Sequence, residues 1–165
     1  EVFDVERSDT YGGQIRVYSG FKGEHEINSR VVELRKLEEE ARLYEPETQA
    51  QYINQIEAKR DKLFDDVYSR KQSGQKIIGI GAPAKASTVC TYCSLGAHLL
   101  DYITEINPLR VGTHLPGVHV PIIDESFMFE DPAPADAGVL FAWNYADEVI
   151  PKLREKGWKG DIIFP

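Results

Sequence analysis

The sequence predicts an α/β protein: a parallel sheet of about five strands with flanking helices, preceded by a strand pair and a helical hairpin. Two observations predict it. From Lys76 onward, short apolar runs recur at Ile77–Ile80, Tyr102–Ile106, Val120–Ile123, Val139–Ala142 and Ile162–Phe164. Helix-competent stretches lie between several of them, at Ala84–Ser94 and Tyr145–Lys156. Fully apolar strands alternating with helices are the pattern of a parallel sheet buried on both faces.

The elements follow in order. Over residues 1–26, Val2 to Val5 alternate apolar and polar, Gly12-Gly13 mark a turn, and Ile15 and Val17 alternate with Arg16 and Tyr18, giving two strands. Over 27–75 the spacing becomes helical and the surface heavily charged. Ile27, Val31, Leu34 and Leu37 form one apolar stripe; Ile53, Ile56, Leu63, Phe64 and Val67 form another. Pro46 interrupts the run, since proline disfavours helix in the residue before it, and Ser73 to Gln75 close the hairpin. Residues 76–165 are the α/β part. The charge run of the hairpin reads as a solvated face.

The chain has 165 residues, 42% hydrophobic and 28% charged, an ordinary globular balance. Its formal net charge of -8 argues against a nucleic-acid partner. No apolar run is long enough to span a bilayer, which argues against a membrane partner, and two cysteines cannot form a disulfide framework, so a cytoplasmic setting is the expectation. The chain opens at Glu1 in strand-like sequence, without a methionine, and reads as a domain of something longer.

The chemistry-bearing stretch is "GIGAPAKAST", Gly79 to Thr88. An apolar strand ends at Gly79-x-Gly81, and Pro83 is placed to start a helix. A helix N-terminus offers unpaired N–H groups and a positive dipole end, and glycines let a ligand approach the backbone. Lys85 is the only charged residue between Ile77 and Leu100, and Ser87 and Thr88 add hydroxyls. The string predicts a phosphate or diphosphate site; the plain alternative is a tight strand–helix turn with a surface lysine. It is not a P-loop, because Ala86 follows Lys85. Glu105 lies 24 residues after Gly81, where a dinucleotide fold places its ribose acid, but it reads equally as an exposed strand-end acid. Cys90 and Cys93 lack a second cysteine pair for zinc and sit late in their helix, so they read as small buried thiols. His119 precedes an apolar strand at a possible ligand edge. Trp143 and Asn144 follow another strand, where Asn144 could cap the next helix. No nucleophilic triad, paired-carboxylate cleft or metal cluster stands out.

Four blocks occur in order along the chain: "EVFDVERSDTYGGQIRVY", "GIGAPAKASTVCTYC", "INPLRVGTHLPGVHVPI" and "LFAWNYADEVI". Together they resemble the C-terminal domain of S-adenosylmethionine-dependent sugar C-methyltransferases, which methylate nucleotide-linked keto-deoxysugars. The resemblance implies a Rossmann-like domain on the substrate side of a larger enzyme. S-adenosylmethionine and zinc would bind elsewhere in that enzyme, and the partners would be a nucleotide-diphosphate sugar and the methyl-donor-binding domain of the same polypeptide. Gly81, Ala82, Pro83, Ala84 and Lys85 match the family's Gly-Ala-Pro-Ala-Lys turn. Asn107 and Pro108 match its Asn-Pro; Pro116, Gly117 and His119 match its Pro-Gly-x-His; Trp143 and Asn144 match its Ala-Trp-Asn. These, with Ser87 and Thr88, are the expected substrate contacts, and no catalytic residue is expected in this chain. Tyr11 and Gln14 stand where the family has His and Ser, and Glu105 where it more often has Asp.

Two other readings remain at this stage. One is a small NAD- or CoA-binding regulatory module that uses Glu105 on a ribose. The other is an interaction domain whose helical hairpin dimerises.

Overall fold

The computed structural model describes residues 1–165, apart from the side chain of Tyr11. Residues 1–55 and 56–165 form two compact units.

In the first unit, β1 (Val2–Ser8) pairs antiparallel with β2 (Gln14–Ser19) across a short 3₁₀ turn, with Val5 opposite Val17. Helix α1 (Ser29–Glu40) is started by Asn28, whose side chain accepts the Arg30 N–H at 3.1 Å. Arg30 then grips Asp4 of β1 with two nitrogens, and Val31 buries next to β1, where Val5 is buried too. Helix α2 (Pro46–Gln72) begins at Pro46 itself, and the break occupies residues 41–45. Proline is suited to that first helical position because its missing N–H has no partner there to lose. Only part of each predicted apolar stripe is buried: Val31 in α1 and Leu63 and Val67 in α2, while Ile27, Leu37 and Ile53 stay exposed.

The second unit holds a parallel sheet of β3 (Ile77–Ile80), β4 (Ile103–Glu105), β5 (Ile122–Asp124), β6 (Ala137–Leu140) and β7 (Asp161–Ile163), ordered β5-β4-β3-β6-β7. The connecting helices are α3 (Ala84–Tyr92), the short α4 (Phe127–Glu130) and α5 (Ala146–Glu155). Alternation along the strands sorts side chains to two faces. Ile77, Ile103 and Val139 pack with Leu63 and Val67 of α2 and with Ala86 and Cys90 of α3. Ile78, Ile80 and Leu140 pack with Met128 of α4, Leu153 of α5 and Trp158. Both faces are buried, and each fully buried Ile or Leu contributes about 1.5–3 kcal/mol. Strand β6 lies two residues earlier than its apolar run suggests. The reason is pairing: Ala137 to Leu140 sit opposite Ile77 to Ile80, and the small Ala137 and Gly138 carry little apolar signal.

The chain steps outward from β3 through β4 to β5 and then returns to the far side of β3 with β6. The strand order therefore reverses between β3 and β6. Their carboxyl ends diverge into separate connections and leave a crevice, which is where open α/β sheets take ligands.

Candidate ligand cleft at the strand ends

At that crevice lies a cleft of about 360 Å³. Ile80, Gly81, Ala82 and Pro83 form one wall and Ala142, Tyr145 and Val149 the other; Glu105, Ile106 and Arg110 close the β4 side. Gly81 makes the tight turn at its base. Its φ is +76°, and a Cβ there would sit 3.1 Å from that of Ala142. A side chain at this position would both strain the backbone and wedge the two strand ends apart. Gly79, the other glycine of the motif, belongs to β3 and faces Ile103 and Phe141. It permits close packing in the sheet and has no part in the cleft.

Glu105 organises the turn. Its carboxylate is buried and accepts four hydrogen bonds. Oε1 takes the N–H groups of Ile106 and Asn107 at 2.8 and 3.0 Å; Oε2 takes the Ala82 N–H at 3.0 Å and Arg110 Nη1 at 3.2 Å. Burial alone would raise its pKa, but the N–H bonds from Asn107, Ala82 and Ile106 outweigh burial and, with Arg110, hold it below the usual glutamate value. Arg110 Nη1 also donates to the Ala82 carbonyl at 3.0 Å, so both polar groups of Ala82 are fastened to this pair. The ribose role considered for Glu105 is thus excluded by its engagement: both oxygens are spent on the protein's own backbone and on Arg110. It is not an exposed strand-end acid either.

Helix α3 opens after Pro83, and the Ala86 N–H is taken by the Pro83 carbonyl at 2.9 Å. The N–H groups of Ala84 and Lys85, in the first turn of the helix, have no intrahelical acceptor. Lys85 Nζ lies 3.4 Å from the centroid of the Trp143 ring, a cation–π contact between the first turn of α3 and the residue that follows β6 by three positions. Partial burial pulls the Lys85 ammonium below its usual pKa. Two sequence-distant candidates, Lys85 and Trp143, are therefore brought together.

The other predicted residues scatter around this point. Ser87 donates from Oγ to the Pro116 carbonyl at 2.8 Å, tying α3 to the Pro116-Gly117 loop. Thr88 is exposed. Asn107 lends its N–H to Glu105, while its own Oδ1 accepts the Leu109 N–H at 3.0 Å in a local turn. His119 is exposed, has a φ of 56° and does not line the cleft. Asn144 does not take a cap position: Ala142 and Tyr145 stand at the N-caps of the two following helical turns, and neither turn is closed by a side-chain cap hydrogen bond. Gln14 opens β2 as an exposed residue, and the side chain of Tyr11 lies outside the described residues. Cys90 and Cys93 are free and buried; burial, then the neighbouring Cys93, pushes the Cys90 thiol up to about 12. Sequence reasoning missed Arg110, Tyr145 and Lys152. Arg110 was visible in the "INPLR" block, but only the fold reveals that it folds back onto Ala82.

The family described as the C-methyltransferase C-terminal domain matches residues 9–165, all but the first eight positions. The chain belongs to this family. It is 30% identical over 156 residues to the C-methyltransferase NovU of Streptomyces niveus, a match that covers 93% of this chain and 36% of that protein. The chain thus spans about a third of the length of the curated relative it matches. As a C-methyltransferase C-terminal domain it carries every wall of the cleft within the matched residues. Among the described residues, no group of three or more His, Cys, Asp or Glu side chains is placed to hold a metal ion, and no helix is long and apolar enough to cross a membrane.

Proposed function

We propose that this chain is the substrate-side domain of an S-adenosylmethionine-dependent C-methyltransferase acting on a nucleotide-diphosphate keto-deoxysugar. Its part is to hold the sugar nucleotide at the Gly81–Thr88 turn while chemistry proceeds on groups outside these residues. The observation that carries the reading is Lys85, a partly desolvated cation held on Trp143 at the start of α3, beside first-turn N–H groups. A phosphate arriving there gains a full charge and directed donors together. Trp143, Asn144, Asn107 and His119 complete the proposed set of substrate contacts around the turn. Lys85 binds as a point charge, and the backbone supplies direction.

The reaction would remove a proton alpha to the sugar's keto group and transfer a methyl group to the resulting carbanion. The methyl donor would bind to a companion domain of the same polypeptide. Zinc finds no ligand group among the described residues. The NAD or CoA alternative loses its anchor, because Glu105 has no oxygen left for a ribose.

Calorimetric titration with dTDP, UDP, NAD and CoA, on the wild-type chain and on Lys85→Ala, tests this reading. A nucleoside diphosphate is expected to bind and to weaken roughly tenfold in the variant, about the loss of one charge-assisted contact. NAD or CoA binding, or a nucleoside diphosphate indifferent to Lys85, would sink it.

A further inference from the structure

We propose that Arg110 is a second anion-recognising cation of this site, presenting the free edge of its guanidinium to a phosphate group of the ligand in the cleft between the ends of β3 and β6. This inference rests on the sugar-nucleotide reading above and adds a residue to it.

Arg110 is already held by the protein at one end of its guanidinium. One nitrogen, Nη1, is fixed twice, to the Ala82 carbonyl at 3.0 Å and to Glu105 Oε2 at 3.2 Å. A guanidinium has five N–H donors in a rigid fork. Pinning one nitrogen sets the plane of the group and leaves the Nε and Nη2 donors uncommitted to any other described residue. The side chain is 45% exposed and lines the cleft. An arginine oriented by a buried acid and open at its other edge is suited to bidentate capture of a phosphate.

The charges around the cleft point the same way. Glu125 is paired with Lys156 at 2.7 Å, and Glu148 with Lys152 at 3.9 Å. Those two acids therefore repel an arriving anion less than their number suggests. Glu105 is also paired, but with a difference: three backbone N–H groups share its charge with Arg110. The Arg110 charge is correspondingly less neutralised than that of a lysine in a simple one-to-one pair. Lys85 does not line this cleft, so Arg110 is a hold separate from Lys85.

The attachment to Ala82 gives the residue a further consequence. Ala82 is part of the turn whose next residues open α3, so a ligand pulling on Arg110 bears directly on the turn's backbone. Recognition by Arg110 and order in the Gly81–Pro83 turn are coupled through one carbonyl.

The test titrates dTDP and inorganic pyrophosphate into the wild-type chain, Arg110→Lys and Lys85→Ala. Affinities come from calorimetry, and the Arg110 Nε–H resonance is followed by NMR in the wild type. Arg110→Lys keeps a positive charge for Glu105 but removes the fork. Binding of both ligands is expected to weaken roughly ten- to hundredfold in Arg110→Lys, the worth of one hydrogen bond to a charged group. The Nε–H resonance is expected to move on addition of pyrophosphate. That NMR readout decides the matter should Arg110→Lys fail to fold. If Arg110→Lys binds as tightly as wild type, or the resonance stays still, while Lys85→Ala is weakened, the Arg110 assignment falls and the sugar-nucleotide reading stands. A wild-type chain that takes neither ligand overturns both.

Discussion

Replacing Glu105 with glutamine keeps the size of the side chain and changes the sign of half its hydrogen bonds. In the wild type, Oε1 accepts two N–H groups and Oε2 accepts one N–H and one guanidinium N–H. A glutamine carbonyl can serve one of those pairs. Its amide NH₂ then faces the other pair donor to donor. Two hydrogen bonds to a charged acceptor are lost in a buried place, which at about 1.5 kcal/mol each comes to about 3 kcal/mol. Urea unfolding followed by tryptophan fluorescence reports on the right unit, since Trp143 and Trp158, the chain's two tryptophans, both lie in residues 56–165. The midpoint should fall with the slope unchanged. Arg110→Gln should cost less, about 1 kcal/mol, because Glu105 keeps its three backbone donors. A Glu105→Gln loss under about 1 kcal/mol would mean that the carboxylate is not what fastens the turn, and the argument from its four partners would be wrong.

Gly81→Ala should destabilise by about 1–3 kcal/mol, from the left-handed backbone together with crowding against Ala142, and a thermal melt would read it. Leu153→Ala empties a site beneath α5 that is 1% exposed and should cost about 2–5 kcal/mol in the same assay. At pH 8 the Cys90 thiol, pushed up to about 12 by burial, should resist a thiol reagent in the folded chain and react once urea is added; reaction at the rate of a free thiol without denaturant would contradict its burial. Acid should weaken the fold through Asp131 and Glu105. The Lys76 hydrogen bond holds Asp131 below its usual value, and backbone N–H bonds do the same for Glu105 against the pull of burial. Both carboxyls bind protons more readily when unfolded. Their stabilisation is therefore present above the ordinary carboxylate range and is lost as pH falls through the folded values. Melting temperatures measured from pH 7 down to pH 3 should decline, and Asp131→Asn should flatten that decline.

Much of the fold was legible in local pattern. The five apolar runs of residues 76–165 became the five strands of the sheet, and β3 has the predicted bounds, because a strand buried on both faces is predominantly apolar. The turn at Gly81 and the start of α3 just after Pro83 were also readable, since both follow from backbone sterics within a few residues. Strand β6 was shifted because Ala137 and Gly138 earn their places by pairing with Ile77 and Ile78, which no local pattern reports. The exposed part of the helical stripes was misjudged for a similar reason: spacing tells which residues share a face, and only the packed fold tells how much of that face is covered.

The candidate site divides in the same way. Its location at a strand–helix junction, its glycine and the lysine that follows the turn were readable in the sequence alone, because they depend on neighbours along the chain. What the tertiary structure decided was the occupancy of each polar group. Glu105, a free acid on spacing arguments, proves to be committed to Ala82, Ile106, Asn107 and Arg110. Lys85 proves to rest on Trp143, 58 positions further along the chain. Arg110 enters the cleft only because the loop after β4 folds back onto the turn after β3. Hydrogen bonds and cation–π contacts are short-ranged in space and indifferent to distance along the chain. Residue types and local conformation can thus be read from the sequence, while which donor meets which acceptor is settled by the order β5-β4-β3-β6-β7 that brings the strand ends together.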